Sequence, residues 1–363
     1  MPEEKSELYE TDKTVNTKMV KCSSCGANMR FDPETQMLIC DHCGRKESVA
    51  KTIEAKEISL FSAISVTGAD MEETMVFTCE NCGAKVSLSG TKTATLCPFC
   101  GTPHVRKAEE LSGLKPNGLL PFLFDKEKAV EFSKKWAKKK LYAPRDFKKS
   151  LNVDNINGIY TPCFTFDSST TSVYSGRIGK RHTRVVGFGK NRHTETYIVW
   201  QNISGTYCDS FNDVLISAGE KVNQKKIDKL SPFDTDSSRE YDEKYVLGFA
   251  SYRYDREIAD CWNDAKTKID GVIKRGILSQ YYYDVVDYLN VSTQHEHVTY
   301  KYVMLPVYIG NFKYKKKLYN FYINGTTGKI YGKTPVSWVK TLFTVLGVLA
   351  LGAVIGLLIY FLG

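Results

Sequence analysis

The sequence predicts an α+β protein with two small four-cysteine modules, a mixed α+β central domain rich in aromatic residues, and one C-terminal helix long enough to cross a membrane. Three observations predict this organisation. Eight of the 11 cysteines form four Cys-x-x-Cys pairs, aromatic residues become prominent after residue 119, and 22 consecutive residues before Gly363 carry no charge. Runs of strand patterns with two separated helix patterns favour an α+β domain over an alternating parallel sheet.

The composition is that of a globular protein with two or three domains. The chain has 363 residues, 42% of them hydrophobic, and its formal net charge is +9. This mild positive excess is compatible with nucleic acid or an anionic membrane surface as a partner, and does not decide between them. The segment 1–14 is charged and lacks the apolar stretch of a signal peptide, so we expect the cysteines to stay in a reducing cytosol.

The cysteine pairs have the spacing of metal-binding knuckles, with 14 residues between the two pairs of each module. Four thiolates surround a zinc ion tetrahedrally, whereas the alternatives, disulfides or a redox pair, require an oxidising compartment or a thioredoxin-like context. The predicted ligands are Cys22, Cys25, Cys40 and Cys43 in zinc ribbon 1 and Cys79, Cys82, Cys97 and Cys100 in zinc ribbon 2. We therefore expect two structural zinc ions (Zn2+) per chain.

A glycine follows each cysteine pair, and the left-handed turn that closes a knuckle favours this residue. These glycines are Gly26, Gly44, Gly83 and Gly101. A site with four cysteine ligands has no open position for water or substrate, so we expect structural and not catalytic metal. His42 and His104 lie beside the cysteines and are expected at the surface or as hydrogen-bond partners of the ligands.

Shifts in residue composition along the sequence divide the chain into units. The N-terminal segment is polar and without apolar periodicity, which is typical of a mobile lead-in. We expect the core of the central domain to be separate from the ribbons. The predicted units are the lead-in (1–20), zinc ribbon 1 (21–46), a linker (47–74), zinc ribbon 2 (75–106), the central domain (119–335) and the transmembrane helix (341–362).

Two helices and several strands are predicted in the central domain. Asp125 can cap a helix that reaches Leu141, with Ala129, Phe132 and Trp136 on one face. A second helix is predicted over 255–276 from an apolar stripe at helical spacing. The stripe consists of Ile258, Trp262, Ala265, Ile269 and Val272. The predicted strands are 158–166, 172–178, 183–188, 194–200, 245–251 and 298–308, and a hairpin joins 318–323 to 329–331.

The uncharged segment 341–362 predicts a membrane-spanning helix. At ~1.5 Å per residue it would be about 33 Å long, against roughly 30 Å of hydrocarbon. Lysines precede this segment and only Gly363 follows it, so the positive-inside rule predicts a single-pass protein of the cell membrane with cytoplasmic N-terminal domains. Gly352 and Gly356 fall on one helical face, which would permit self-association through this helix.

Several further patterns have both a structural and a functional interpretation. The segment 328–334, Gly-Lys-Ile-Tyr-Gly-Lys-Thr, lacks the first glycine of a phosphate-binding loop. His295 and His297 are expected as exposed turn residues, because no third metal ligand accompanies them. The three cysteines outside the ribbons are expected as core thiols. They are Cys163, Cys208 and Cys261.

The hairpin 177–193 concentrates lysine, arginine and histidine around a Gly-Phe-Gly turn. A solvated face is one explanation of this basic segment. The other is contact with anionic lipid or with nucleic acid. Between those two partners lipid is favoured, because a predicted membrane anchor already brings the chain close to lipid.

The order of these features resembles a bacterial family. The residues that carry the resemblance, besides the ribbons and the anchor, are Leu120-Pro121-Phe122, Ala143-Pro144-Arg145, Gly158-Ile159-Tyr160-Thr161-Pro162 and Asn324-Gly325-x-Thr327-Gly328-Lys329. The chain is similar to tail-anchored double-zinc-ribbon proteins, mostly of Gram-positive bacteria, catalogued as transcription-factor-B-type zinc-ribbon or primosomal-helicase-like proteins. The resemblance implies a membrane-bound scaffold linked to envelope stress, working with phage-shock-type coiled coils and membrane-microdomain proteins.

These observations predict a non-enzymatic, tail-anchored adaptor that recruits cytosolic or membrane proteins to the bilayer. The alternative is a membrane-tethered nucleic-acid-binding protein. The ribbons contain few cations for that role, with Arg30 and Arg45 at the first and Lys85 and Lys92 in the second. No acid–base pair that would indicate a hydrolase is identifiable in the central domain.

Overall fold

The structure is a computed structural model that describes residues 20–49, 53–61, 71–88, 97–102, 105–315 and 317–362. Apart from Val20, the predicted lead-in lies outside the described residues, and so does His104. The described helices are α1 (Lys126–Lys138), α2 (Arg145–Lys149), α3 (Gln224–Leu230), α4 (Ile258–Ser279) and α5 (Trp338–Leu362). The described strands are β1 (Met29–Asp32), β2 (Met37–Cys40), β3 (Lys46–Ser48), β4 (Ile58–Ser59), β5 (Met71–Cys79), β6 (Lys85–Leu88), β7 (Val105–Leu114), β8 (Gly118–Leu119), β9 (Ile156–Val186), β10 (His193–Ser217), β11 (Arg239–Glu240), β12 (Ala250–Tyr252), β13 (Val285–Tyr314), β14 (Lys317–Asn324) and β15 (Ile330–Gly332).

A small antiparallel sheet, β1-β2-β3, forms the body of ribbon 1. Its register pairs Met29 with Cys40 and Met37 with Ser48. The first cysteine pair precedes β1, and the second begins with Cys40, the last residue of β2. Because β1 and β2 are antiparallel neighbours, both cysteine pairs lie at the same end of this sheet.

The other described strands form one large mixed sheet. Its main path runs β11-β8-β13-β9-β12-β6-β5-β7, with β10 paired to β9, β14 paired to β13 and β15, and β4 paired to β13. Strand β12 is parallel to β9 and antiparallel to β6. Strand β6 of ribbon 2 is therefore hydrogen-bonded into the same sheet as the central domain.

Three long strands extend this sheet as an arm, which we define as residues 168–186, 193–211 and 285–296. They belong to β9, β10 and β13, which have 31, 25 and 30 residues. The middle strand, β9, pairs with β10 on one side and with β13 on the other. Register shifts at Phe211/Val214 and Glu296/Thr299 mark the base of the arm.

Helix α4 covers one face of the arm. Its buried residues Ile269, Ile273 and Ile277 pack in one cluster with Tyr174 and Ile178 of β9. In the middle of the arm the opposite face carries short polar side chains, such as Ser175, Ser204 and Thr206, and these are exposed. Apolar residues on one face of the helix and one face of the strands thus bury each other, which is the usual reason that a sheet and a helix form two layers.

The main core is aromatic, as the composition of the central region predicts. Phe122 is stacked on Phe249 with ring centroids 4.3 Å apart, and it also contacts Tyr160 and Tyr308. The Tyr308 hydroxyl donates to the carbonyl oxygen of Phe124 at 2.6 Å, so its one buried polar group is satisfied.

The first predicted helix is confirmed with a shorter C-terminal end. The Asp125 carboxylate accepts a hydrogen bond from the backbone N–H of Lys128 at 2.8 Å, so the predicted cap forms. Ala129 is buried, and Phe132 and Trp136 pack against the core from partly buried positions. The helix ends at Lys138, three residues before the predicted Leu141.

The second predicted helix is shifted towards the C-terminus, to Ile258–Ser279. Ile258, Ala265 and Ile269 are buried as predicted, but Val272 is 39% exposed and that assignment is wrong. The buried stripe continues from Ile269 to Ile273 instead. An α-helix has 3.6 residues per turn, so a residue four positions after Ile269 lies on the same face.

All but one of the predicted strands lie within observed strands or nearly so, and the observed strands are longer. The segments 158–166, 172–178 and most of 183–188 all belong to the single strand β9. The predicted hairpin forms, with Ile323 opposite Ile330. The predicted strand 245–251 is wrong over most of its length, since a short 3₁₀ helix, Glu243–Val246, occupies its start and the strand is only Ala250–Tyr252.

Candidate metal centres and membrane anchor

Ribbon 1 brings its four predicted cysteines into one cluster. The Sγ atoms of Cys22 and Cys43 are 3.5 Å apart, and those of Cys25 and Cys40 are 3.4 Å apart. All four Sγ atoms lie within 4.8 Å of one another. Cys22 and Cys40 are buried beneath the cluster, whereas Cys25 and Cys43 are exposed.

Ribbon 2 repeats this arrangement with strands of the large sheet. The Sγ atoms of Cys79 and Cys100 are 3.6 Å apart, and those of Cys82 and Cys97 are 3.7 Å apart. These four atoms also lie within 4.8 Å of one another. Cys79 and Cys97 are buried, and the other two are half-buried, so ribbon 2 is the less exposed of the two centres.

Both clusters fit a tetrahedral metal. A zinc–sulfur distance of about 2.3 Å places tetrahedral sulfur atoms about 3.8 Å apart, and the closest measured separations are slightly shorter. Four sulfur donors are the ligand set that zinc accepts in structural sites. The two groups of four cysteines can therefore each hold one metal ion of this kind.

The knuckle geometry follows from the glycine after each pair. The backbone φ angles of Gly26, Gly44, Gly83 and Gly101 are 72°, 73°, 69° and 68°, as the sequence predicts. Each of these N–H groups donates to the carbonyl oxygen of the first cysteine of its pair, for example Gly44 to Cys40 at 2.8 Å. Only glycine adopts this left-handed conformation without steric cost, so the four knuckles close in the same way.

Hydrogen bonds inside the knuckles favour thiolates at two of the positions. The backbone N–H of Cys43 lowers the pKa of the Cys40 thiol to about 6. Burial alone would raise the pKa of Cys100, but hydrogen bonds from the side chains of Thr102 and Asn81 lower it to about 6. Burial raises the pKa of the Cys82 thiol to about 11, so the lowered values do not extend to every ligand and a bound cation would have to favour thiolate at the others.

Two residues that support the cysteines of ribbon 2 are not among those that the sequence predicts. The Thr102 hydroxyl lies 2.9 Å from Cys100 Sγ, and the Lys221 ammonium donates to the carbonyl oxygen of Cys82. Thr102 could have been suspected from its place two residues after a ligand. Lys221 could not, because it lies in a distant loop that only the fold brings to the knuckle.

Both ribbons share apolar cores with the central domain, so the expectation of a separate core is wrong. Cys22, Met29 and Phe31 belong to the aromatic core cluster, and Phe31 packs edge-to-face against Tyr245 at 5.2 Å. In ribbon 2, Phe99 packs against Tyr252 at 5.0 Å. The predicted domain boundaries remain predictions, but ribbon and sheet bury each other's apolar surface.

Polar contacts reinforce the attachment of ribbon 2. Asn311 and Asn320 donate side-chain N–H groups to the carbonyl oxygens of Pro98 and Phe99, both at 2.9 Å. These carbonyls belong to the Cys97–Cys100 knuckle. The position of two metal ligands is therefore tied to strands β13 and β14 of the central sheet.

Within the part of the chain that the structure describes, the predicted histidines lie outside both clusters. His42 is exposed on the second knuckle of ribbon 1, as expected. His295 is not an exposed turn residue, and that expectation is wrong. Its ring lies 3.1 Å from the Ser168 hydroxyl and packs edge-to-face on Trp262 at 5.2 Å, because β13 continues through this position. Burial lowers its pKa.

Two of the three remaining cysteines are core thiols, as predicted. Cys163 and Cys261 are buried. Burial raises the pKa of both thiols, which makes them poor nucleophiles. Cys208 is exposed on β10, so its prediction as a core thiol is wrong.

The basic hairpin predicted at 177–193 is the outer end of the arm. Strands β9 and β10 meet there through a short 3₁₀ turn, Gly189–Asn191. Phe188, at the turn, is 97% exposed. The structure thus separates this basic surface from both metal clusters by most of the length of the arm.

The C-terminal helix α5 is the one helix of the described residues that is long and apolar enough to cross a membrane. The part of α5 that could span the membrane is Trp338–Phe361, and none of its apolar stretch is buried against the rest of the protein. Its start is held by the backbone N–H of Ser337, which donates to the Tyr142 carbonyl at 2.7 Å, and by Lys340, which donates to the Ala143 carbonyl at 2.6 Å.

These observations define a class: a mixed α+β protein with two four-cysteine clusters, one on a small separate sheet and one built into the large sheet, and with an apolar C-terminal helix. The chain is 30% identical over 323 residues to the uncharacterized protein YdjG of Bacillus subtilis (strain 168), over 87% of this chain and 90% of that protein. The chain belongs to the YdjG family. No protein-family model matches the sequence, and no solved structure matches it.

Proposed function

We propose that this protein is a non-enzymatic, membrane-anchored adaptor whose zinc ribbons hold a recognition surface for a cytosolic protein. The observation that carries the proposal is the exposure of ribbon 1. Its ligands Cys25 and Cys43 are exposed, while Cys22 and Cys40 are buried against the core. The metal cluster would thus fix two rigid knuckles at the surface of a large folded body.

Zinc is the metal that suits these sites best, with two ions per chain. Four thiolates at tetrahedral separations select zinc or iron–sulfur chemistry, and a closed set of four leaves no position for substrate. The ligands would be the eight predicted cysteines. The metal would then contribute to folding and to the rigidity of the knuckles, and not to a reaction.

Helix α5 supports the anchored part of the proposal. The described helix is apolar on all sides and unburied, whereas the core helix of a soluble protein would be covered by the fold. Lysines immediately before it favour a cytoplasmic body. Confinement beside the membrane raises the effective concentration of any partner that also approaches the membrane.

The charge around ribbon 1 favours a protein partner over nucleic acid. Arg30 lies 2.8 Å from an Asp41 carboxylate oxygen, and Arg45 lies 3.2 Å from a Glu47 oxygen. Phosphate binding needs cations that are free to replace counterions, and these two are neutralised by neighbouring carboxylates. The runner-up, a membrane-tethered nucleic-acid binder, therefore has less support at this surface.

A phage-shock-type coiled coil is the partner class that we propose, in an envelope-stress role, because the family resemblance implies it. The test follows the position of a fluorescent coiled coil of this type in cells. We expect it at the membrane with the wild-type chain and dispersed when the chain ends at Lys340. A variant with Ser24→Ala and His42→Ala, which alters exposed knuckle residues but no ligand, should weaken recruitment.

The matched control replaces two exposed lysines of α3, Lys225→Ala and Lys229→Ala, and should recruit the partner normally. Zinc content should be unchanged in both variants, which separates loss of the surface from loss of the metal. Normal recruitment by the knuckle variant would place the adaptor surface elsewhere on the protein. Normal recruitment by the truncated chain would refute the anchored adaptor.

A further inference from the structure

The outer end of the arm has an apolar apex that none of the described residues covers. Phe188 is 97% exposed and stands between Gly187 and Gly189, whose φ angles are 96° and 59°. Two glycines in the left-handed region turn the chain so that the phenylalanine side chain projects from the apex. Val185 and Tyr282 nearby are 59% and 78% exposed.

Cations surround this apex. Lys190 lies in the turn and Arg192 follows it; both are exposed, and within the described residues neither makes an ion pair. Lys180 Nζ lies 3.8 Å from the ring centroid of Tyr282. The basic and aromatic side chains therefore form one continuous surface around Phe188, which we call the tip.

The acidic groups of the tip are few and mostly engaged. Glu195 lies 3.0 Å from Arg184 and 3.7 Å from His193. Asp287 lies 3.6 Å from Arg177. The Asp284 carboxylate accepts the backbone N–H of Arg181 at 2.7 Å. Against these three carboxylates the strands present six lysine and arginine side chains, so the tip keeps a positive charge. They are Arg177, Lys180, Arg181, Arg184, Lys190 and Arg192.

We propose that the tip binds anionic lipid of the bilayer that holds α5, with Phe188 entering the interface. An exposed aromatic at the apex with cations behind it matches the layered polarity of a membrane surface, apolar inside and negative at the headgroups. Nucleic acid fits less well, because the tip also exposes aliphatic side chains. Val185 and Val199, 59% and 51% exposed, gain from hydrocarbon and not from base stacking.

The fold determines how such contact would orient the protein. Strand β13 runs from Val285 beside the tip to Tyr314, and Phe312 near its far end packs 5.2 Å from Phe147 of α2. The start of α5 is held just before α2. A 30-residue strand is up to about 100 Å long at ~3.3 Å per residue. Tip and anchor are thus at opposite ends of the sheet, and binding at both would lay the body along the membrane.

This inference rests on the proposed anchorage by α5, and the experiment separates the two. The full chain carries a photoreactive benzoylphenylalanine at Phe188, and is reconstituted at low density in vesicles of phosphatidylcholine with or without a quarter phosphatidylglycerol. After irradiation, mass spectrometry measures lipid adducts. The control places the same group at Val173, which is 62% exposed on the open face of the arm.

We expect lipid adducts at position 188 in the anionic vesicles, few in phosphatidylcholine alone, and few at position 173 in either. The double substitution Lys190→Gln and Arg192→Gln should weaken tip binding about thirtyfold, at about one kcal/mol per charge, and remove most of the adduct. The same change of charge on α3, made by Lys225→Gln and Lys229→Gln, should leave the adduct yield at position 188 unchanged.

Retention of the chain after carbonate washing reports the anchor independently. A retained chain without adduct at position 188 would overturn the lipid inference alone, and adducts of equal yield with both lipids would overturn its electrostatic basis. Added DNA that replaces lipid as the cross-linked species would show a nucleic-acid surface instead. A chain that washes off would refute both the anchorage and this inference.

Discussion

Phe99 provides the sharpest test of how ribbon 2 is attached, because its side chain lies between a metal knuckle and the central sheet. It is 4% exposed and packs edge-to-face on Tyr252 at 5.0 Å. We predict that Phe99→Ala lowers the free energy of unfolding of the whole protein. If ribbon 2 were an independent zinc module, the substitution would destabilise only that module.

The expected magnitude is about 3–5 kcal/mol, the range for Phe→Ala in a packed core. The aromatic pair accounts for about 0.5–1.5 kcal/mol of this, and the remainder is lost burial and the cavity. Phe188→Ala is the matched control, since that side chain is 97% exposed and its removal should change stability by less than about 0.5 kcal/mol.

The assay is urea unfolding of the purified full chain in detergent, followed by tryptophan fluorescence and by release of zinc to an indicator dye. Because the ribbon shares its core with the sheet, both signals should change together, and both should shift in Phe99→Ala. A loss below about 1 kcal/mol for this variant, or zinc release well before the fluorescence change, would refute the shared core.

Three further predictions concern the clusters, the anchor and one half-buried carboxyl. Elemental analysis should find two zinc ions per chain, and one or none in protein with intact thiols would contradict the assignment. Carbonate-washed membranes should retain the full chain and lose a chain that ends at Lys340, whereas a full-length protein found in the soluble fraction would exclude the anchor. Burial and a hydrogen bond with Glu57 raise the pKa of Asp167 from 3.8 to about 7. The folded state therefore favours neutral Asp167. The contribution of this proton to the free energy of unfolding is complete below about pH 4 and is lost as the pH rises towards 7. Asp167→Asn stays neutral, so its urea midpoint should rise relative to wild type between pH 5 and pH 8, and a constant difference would contradict this pKa.

The features that local chemistry determines were predictable from the sequence. Cysteine spacing identified both clusters, since a Cys-x-x-Cys-Gly turn needs only its own backbone to form. The glycine at position 44 adopts the expected left-handed conformation for the same reason. Asp125 caps α1 through a bond to Lys128, three residues away. Each of these structures closes within a few residues.

Features that depend on distant partners were not predictable. The polar run 168–171 has no apolar pattern, yet it is strand because β10 and β13 pair with it on both sides. The expectation of a separate ribbon core failed similarly. Nothing near Phe99 in the sequence indicates that Tyr252 will cover it, or that Asn320 will bind its carbonyl oxygen.

The charged group at the base of the arm is another non-local feature. Lys301 is largely buried and lies 2.9 Å from Asp213, a residue with a positive φ of 51° at a register shift. The nearby Glu57 lies 3.7 Å from the same lysine. Three segments far apart in sequence contribute these groups, so no sequence motif could indicate them.

Reconstitution shows whether the metal-loaded protein holds a cytosolic coiled coil at the membrane, as we propose. Vesicles carrying the full chain with two zinc ions are mixed with a purified phage-shock-type coiled coil and sedimented. We expect saturable binding of the coiled coil to these vesicles, and weaker binding when the chain carries Ser24→Ala and His42→Ala. Equal binding to protein-free vesicles, or no binding to vesicles carrying the intact protein, would contradict it.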